Sequence, residues 1–332
     1  MGGSGGTGHL FRTYKGGGYS QGGFSSVISH SKESKKSNDS VNNIFDVHIR
    51  KIRVSNNERF HLNNLKNEIS ESLSQDMKVK KVSVIGSTAK NTQIKKRSGN
   101  DIDIMVELDE KEHGEWLEQE NGPRNALEKT KRTLQKDPRF KNVEMHIDRN
   151  VVTVEVRNQK ADVIPSFARN DGGHAIPDTS GEQKWIKTNP RLSNRLFKNL
   201  DKKNDNKLSE LTMEVKNWNQ RNGGHLTSHH IDCMTYDYFK SNKPKDGENS
   251  HKVNIGEFFE RIPWYLKRHV RDPVYGEKAD GYLTDEKRRK VIANSQKSTK
   301  ILRQAEKKAR KGDEIESNKL YREFLGGEDN EL

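Results

Sequence analysis

The sequence predicts an α+β fold in two lobes, a sheet lobe followed by a mainly helical one. Three observations predict it. Short alternating apolar runs are confined to residues up to about 165, apolar residues recur at helical spacing on both sides of that block, and the strand signal fades beyond Pro165. At 332 residues the chain is long enough to bury a substantial core.

Residues 1–42 are rich in Gly, Ser and Lys, with Gly16-Gly17-Gly18 among them and almost no apolar periodicity, so they read as a flexible tail. Order is expected to begin near Ile44. Ser55-x-x-Glu58 has the form of a capping box, and Leu62, Leu65, Ile69 and Leu73 place an amphipathic helix behind it. Val82 to Ile85 form a short strand that ends in Gly86-Ser87. Alternation resumes through Asp101, Ile102, Asp103, Ile104, Met105 and Val106, and the strand's period of two places Asp101 and Asp103 on one face. Residues 123–136 read as a helix. Strands follow at 143–147, 151–156 and 161–164.

After Pro165, Leu192/Leu196, Leu208/Leu211/Val215/Trp218 and 231–239 have helical spacing, and a last long helix spans roughly 285–310. Between 287 and 311 that helix carries eleven Lys or Arg against Glu306 alone, which makes it either a solvated face or a surface for nucleic acid or substrate phosphate. The expected organisation is a tail (1–42), a catalytic core (43–168), a helical lobe completing a cleft (169–315) and a polar C-terminal tail (316–332).

Composition narrows the function classes. Only 29% of residues are apolar and 33% are charged, and the net charge of +13 favours polyanionic partners, nucleotide triphosphates or nucleic acid. Cys233 is the sole cysteine, which excludes an intramolecular disulfide and a multi-cysteine zinc cage. No apolar run approaches the length of a membrane span and no signal peptide is evident, so no membrane association and a cytoplasmic location are expected.

Chemistry concentrates in the first lobe. Phosphoryl transfer assisted by two Mg²⁺ ions needs carboxylates that converge on a point, and alternating aspartates on a strand supply two of them in Asp101 and Asp103. Asp162 follows a run of strand formers and is placed to supply a third from a neighbouring strand of the same sheet. Gly86 lets the backbone approach a triphosphate closely, and Ser87 with nearby N–H groups offers an anion site. His225, His229, His230 and Cys233 form a cluster of metal-ligand types, but with one thiol and helical spacing they are read as packing or helix surface rather than a metal site. Asp171-Gly-Gly-His174 is read as a plain loop, with contact to the base or ribose of a nucleotide as the alternative that its glycines allow.

Taken together, Val84-Ile-Gly-Ser-Thr-Ala-Lys-Asn-Thr, Asn100-Asp-Ile-Asp-Ile-Met-Val and Ala161-Asp-Val-Ile-Pro resemble the DNA polymerase β-type nucleotidyltransferase superfamily. More narrowly, the order of Trp185-Ile-Lys-Thr-Asn-Pro190, Val215-Lys216-Asn-Trp218, Leu226-Thr-Ser228-His-His-Ile-Asp232 and Asp272-Pro273 resembles the bacterial cGAS/DncV-like nucleotidyltransferases (CD-NTases), over about residues 45–310.

That resemblance implies an oligoadenylate synthetase/cGAS-like bilobed fold, Asp101, Asp103 and Asp162 as catalytic metal ligands for two Mg²⁺ ions (Mn²⁺ as an alternative), and Gly86, Ser87, Lys216 and Ser228 as nucleotide-binding residues. It implies NTP substrates, ATP and/or GTP, a cyclic or short linear oligonucleotide second messenger made in antiphage defence, and an activating nucleic acid or protein ligand. The chain departs from the family at Val84-Ile85, where many relatives carry a Gln before the Gly-Ser, and at Asp232, where Glu is frequent. Two other readings use the same residues: an RNA 3′-end nucleotidyltransferase of the poly(A) or CCA type, and an inactive nucleic-acid-binding module on this fold.

Overall fold

The computed structural model describes residues 32–96, 99–180, 184–241 and 251–327. Helix α1 (Lys32–Ile52) precedes α2 (Asn56–Asp76), whose Ser55 hydroxyl accepts from Glu58 N while Glu58 reaches back to Ser55 N at 2.7 Å, so the capping box expected from sequence is formed. Strand β1 (Val79–Val84) turns into α3 (Gly86–Lys90), and β2 (Asn100–Leu108) follows. The short α4 (Glu110–His113) and a 3₁₀ turn lead to α5 (Gly122–Lys136), then β3 (Glu144–Asp148), β4 (Val151–Val156) and β5 (Gln159–Ala168).

The strand order is β1-β2-β5-β4-β3, antiparallel except for the parallel β2–β5 pair. Burial explains the pattern. Ile102, Ile104, Val106, Val152, Val154, Ala161 and Val163 are at most 1% exposed and pack with Leu62, Leu65, Ile69 and Leu73 of α2 and Leu127 and Leu134 of α5. Each buried Val, Leu or Ile among them contributes on the order of 1.5–3 kcal/mol relative to exposure.

Strands do not stop at Pro165. β5 runs to Ala168 and is joined by β6 (His174–Asp178), which pairs with β7 (Lys184–Thr188), so the sheet lobe extends past the boundary at 168. These short edge strands carry Pro177 and Asp178, residues that weaken a strand signature without preventing edge pairing.

Helices α6 (Pro190–Lys203), α7 (Lys207–Arg221), α8 (Ser228–Ser241), α9 (His251–Arg268), α10 (Asp285–Arg310) and α11 (Glu314–Leu325) form the second lobe. Their core contains Trp218, Phe258, Phe259, Ile262, Leu266, Val291 and Leu302. On α10 the residues Val291, Leu302 and Ala305 are buried, Arg303 pairs with Glu260 at 2.8 Å and Arg310 with Glu306 at 2.8 Å, so part of its charge is spent on structure.

Two terminal expectations are corrected. The first helix begins at Lys32, and Val41 and Phe45 are buried in the helical core, so order starts before residue 43; the tail reading for residues 1–31 lies outside the described residues. Residues 316–327 are no polar tail. In α11, Tyr321, Phe324 and Leu325 are buried, because its apolar residues fall three and four apart and cover α1, α9 and α10. Ile49 and Ile52 of α1 meet Ile94 and Met213, which joins the two lobes behind the site.

Candidate active site

Asp101 and Asp103 flank Ile102 on β2, and Ile102 is buried on the opposite face. Parallel pairing sets Asp103 level with Asp162 on β5, and the antiparallel β4–β5 pairing sets Thr153 opposite Asp162, where its hydroxyl donates to Asp162 Oδ1 at 2.7 Å. The three aspartates therefore rise from two adjacent strands onto one face, as the alternation in the sequence requires.

The Gly86 turn closes on this face. Ile85 N donates to Asp103 O at 3.0 Å, and Gly86 has φ +64. A Cβ at Gly86 would lie 2.1 Å from Asp103 Oδ2, so glycine is demanded both by the left-handed backbone and by the carboxylate beside it. Ser87 follows in the first turn of α3, with Thr92 N donating to its carbonyl at 2.9 Å. Gln93, 2% exposed, stitches the turn to the strand: its amide donates to Asp101 O and its carbonyl oxygen accepts from Thr88 Oγ1 at 3.0 Å.

Three carboxylates on one face have an electrostatic consequence. Burial, then the charges of Asp101 and Asp162, push the Asp103 carboxyl up to about 7, against the opposing pull of Lys96 and Lys216. Lys96 pairs with Asp101, and Lys160 Nζ lies 3.5 Å from Asp162 Oδ1. An acid whose pKa is raised by burial and by two neighbouring acids marks a site short of positive charge. All-oxygen donors of this kind suit a hard divalent cation.

The opposite wall is cationic and comes from both lobes. Lys216 of α7 donates to Thr92 Oγ1 at 2.9 Å and lies 2.8 Å from Asp232 Oδ1; Lys90 of α3 donates to Asp232 Oδ2 at 2.8 Å. Asp232 is 6% exposed, yet the two lysines overcome its burial and hold the carboxyl down at about 2. One fixed anion thus stands between two buried ammonium groups, and an ammonium has three N–H donors. Ser228 is solvent-exposed at the first residue of α8, one helical turn ahead of Asp232 on the same face.

Sequence reasoning missed Lys90, Gln93 and Lys96, and it placed Asp232 only as a family departure. The run Lys90-Asn-Thr-Gln93 lies in a polar loop signature, and nothing in its spacing announces that Lys90, Thr92 and Gln93 are buried. The Asp171-Gly-Gly-His174 segment is the turn between β5 and β6, closed by Gly173 N donating to Asp171 Oδ1 at 3.0 Å, while His174 Nε2 lies 3.1 Å from Glu107 Oε2. Trp185 of β7 donates to Trp116 O at 3.0 Å, so that motif braces the sheet lobe.

A two-strand aspartate face with a Gly-Ser turn on one side and a helical lobe carrying a buried lysine on the other defines the polymerase β-type nucleotidyltransferase fold. Residues 40–204 match the Second Messenger Oligonucleotide or Dinucleotide Synthetase domain family. A probable cyclic nucleotide synthase of Bacillus cereus (strain VD146) is 28% identical over 160 residues, which are 46% of each chain, so the match spans about half the length of that curated relative. Among solved structures, Escherichia coli MS115-1 CdnC with ATP superposes with a TM-score of 0.65 at 14% identity, covering 87% of this chain and 97% of that one. Vibrio cholerae DncV, a cyclic AMP-GMP synthase described as a prokaryotic cGAS homologue, gives 0.55 at 14% identity over 84% and 80% of the two chains. The chain thus has the fold of the bacterial cGAS/DncV-like nucleotidyltransferases (CD-NTases), and its residues 40–204 carry the synthetase-domain match.

Proposed function

We propose that the protein joins NTPs, ATP and/or GTP, into a cyclic or short linear oligonucleotide that serves as a second messenger in antiphage defence. The observation that carries the reading is the register of Asp103 with Asp162 across β2 and β5, with Asp101 two residues away on the same face and Lys216 among the charges acting on Asp103.

Asp101, Asp103 and Asp162 hold two Mg²⁺ ions, with Mn²⁺ as a substitute. When bound, the metal neutralises triphosphate charge and makes an acceptor ribose hydroxyl more acidic. Ser87 and the remaining N–H of Lys216 bind the donor triphosphate, and Gly86 keeps the backbone close enough for this. Ser228 lines the same pocket from α8. The acceptor hydroxyl attacks the α-phosphorus in line, its proton leaves, and the bond to pyrophosphate breaks. A second attack by the far end of the linear product releases another pyrophosphate and closes the ring. The low Asp232 pKa supports Lys216 in this role, since an ionised carboxylate aims the lysine and opposes the burial that lowers the Lys216 pKa below its ordinary value.

Among the described residues no helix is long and apolar enough to cross a membrane, and we place the activity in the cytoplasm, switched by a protein or nucleic-acid ligand. The test is pyrophosphate release from ATP and GTP with Mg²⁺ and no primer. Asp103→Asn is expected to abolish release while leaving the chain folded. Release that requires added RNA would instead assign a 3′-end nucleotidyltransferase, and NTP binding without release would assign an inactive module.

A further inference from the structure

Behind the lysine-bearing wall, α8 and the hairpin after α9 bring together three donors of different chemistry. His229 and Cys233 are one turn apart on α8, with Cys233 Sγ 3.6 Å from His229 Nε2. Asp272 Oδ2 lies 3.6 Å from the same His229 Nε2. All three ligand atoms lie within 4.8 Å of one another, and among the described residues this is the one His/Cys/Asp/Glu group of three so gathered.

The two spacings to His229 Nε2 are near those of a coordination sphere. With bonds of about 2.3 Å to sulfur and about 2.0–2.1 Å to nitrogen or carboxylate oxygen, tetrahedral angles set N···S at about 3.6 Å and N···O at about 3.3 Å. Direct hydrogen bonds to nitrogen are shorter for a carboxylate. The carboxylate is also held in place: Asp272 Oδ1 accepts from Val274 N and Tyr275 N, both at 2.8 Å, which leaves Oδ2 turned to His229. Cys233 is 3% exposed, whereas the His229 side chain is half-exposed and opens the cluster to solvent. Beside His229 and Cys233 lies a cavity of ≈ 10 Å³, about the room one water needs, which Asp272 does not line and whose wall also includes Ser193, Pro273 and the Lys90–Asp232 pair.

We propose that His229, Cys233 and Asp272 form a three-residue site for a borderline-soft divalent cation of the zinc class, with water in the fourth position. A thiolate and an imidazole select against Mg²⁺, which prefers oxygen, so the site is chemically separate from the aspartate face. Binding forms a metal–sulfur bond and releases the Cys233 thiol proton to solvent. The cation ties α8 to the 271–278 hairpin and so fixes the helix that presents Asp232 to Lys90 and Lys216. The site stands independently of the proposed nucleotidyl transfer.

The test uses the full chain purified with zinc supplied and no chelator, then dialysed, with metal content measured by mass spectrometry. Expected is a stoichiometric zinc in wild type that is lost in Cys233→Ser and in His229→Gln; should the buried Cys233→Ser fail to fold, the half-exposed His229→Gln variant decides. In parallel, Co²⁺ added to the metal-free protein is expected to give a thiolate-to-cobalt charge-transfer band that Cys233→Ser abolishes and excess Mg²⁺ does not displace. Wild type that takes up no zinc, zinc retained equally by folded His229→Gln, or a Co²⁺ spectrum without the thiolate band would overturn the site.

Discussion

Replacing Gly86 by alanine separates two costs that the structure places on one residue. The first is the backbone: φ +64 costs an L-residue about 1–2 kcal/mol. That lowers the melting temperature by about 2–4 °C per kcal/mol in a domain of some 150–250 residues. The second is the contact with Asp103. The new Cβ would sit 2.1 Å from Asp103 Oδ2, about 0.9 Å short of the 3.0 Å that real Cβ atoms keep, and backbone hydrogen bonding from Ile85 to Asp103 leaves the carboxylate as the group that must yield. Displacing a reacting group by about 1 Å costs on the order of 10²-fold in rate. Gly224 supplies the control. Its φ is +62 and nothing lies within 4 Å of the Cβ it would acquire, so Gly224→Ala carries the backbone cost alone. Initial rates of pyrophosphate release and thermal melts on both variants are therefore expected to show similar losses of stability and a rate loss of about 10²-fold confined to Gly86→Ala. Equal rates in the two variants would refute the claim that the Gly86 contact sets Asp103.

Three further outcomes follow from the same interactions. Asp232→Asn leaves Lys90 and Lys216 buried without their anion and should cost about 3–5 kcal/mol in denaturant unfolding; a change below about 0.5 kcal/mol, the level of an ordinary surface substitution, would mean that water already solvates those lysines. His230, fully buried with Nδ1 3.0 Å from the Tyr282 hydroxyl, is lowered by burial from 6.5 to about 4. The unfolded chain takes up that proton first, so this contribution is full above pH 6.5 and is lost as pH falls toward 4, and melting temperature is expected to drop across that window. A flat profile there would contradict the buried neutral imidazole. Phe324→Ala removes a ring that packs edge-on against Phe259 at 5.1 Å and should destabilise by about 3–5 kcal/mol, whereas a polar tail would lose almost nothing.

What the sequence made legible, and what it hid, divides along local and non-local physics. The alternation around Ile102, the capping box at Ser55 and the helical stripe of α10 are local periodicities, and each reappears as an element with the expected face buried. Helix α9 escaped notice because Pro263 sits inside it; packing of Phe258, Phe259, Ile262 and Leu266 outweighs the donor that proline removes. Helix α11 escaped because twelve residues dense in charge carry only a narrow apolar stripe, which gains meaning once α1 and α10 are there to cover. At the site, the positions of Asp101, Asp103 and Gly86 follow from one strand and one turn. The Lys90–Asp232–Lys216 cluster joins residues 142 positions apart, a pairing that only the closed fold brings about.

The most direct measurement incubates purified protein with Mg²⁺ and all four NTPs, without primer, beside the Asp101→Ala/Asp103→Ala variant, and identifies phosphatase-resistant products by mass spectrometry. A cyclic oligonucleotide formed by wild type and absent from the variant is expected. Wild-type protein that makes no oligonucleotide from NTPs alone yet extends an added RNA 3′ end would contradict second-messenger synthesis.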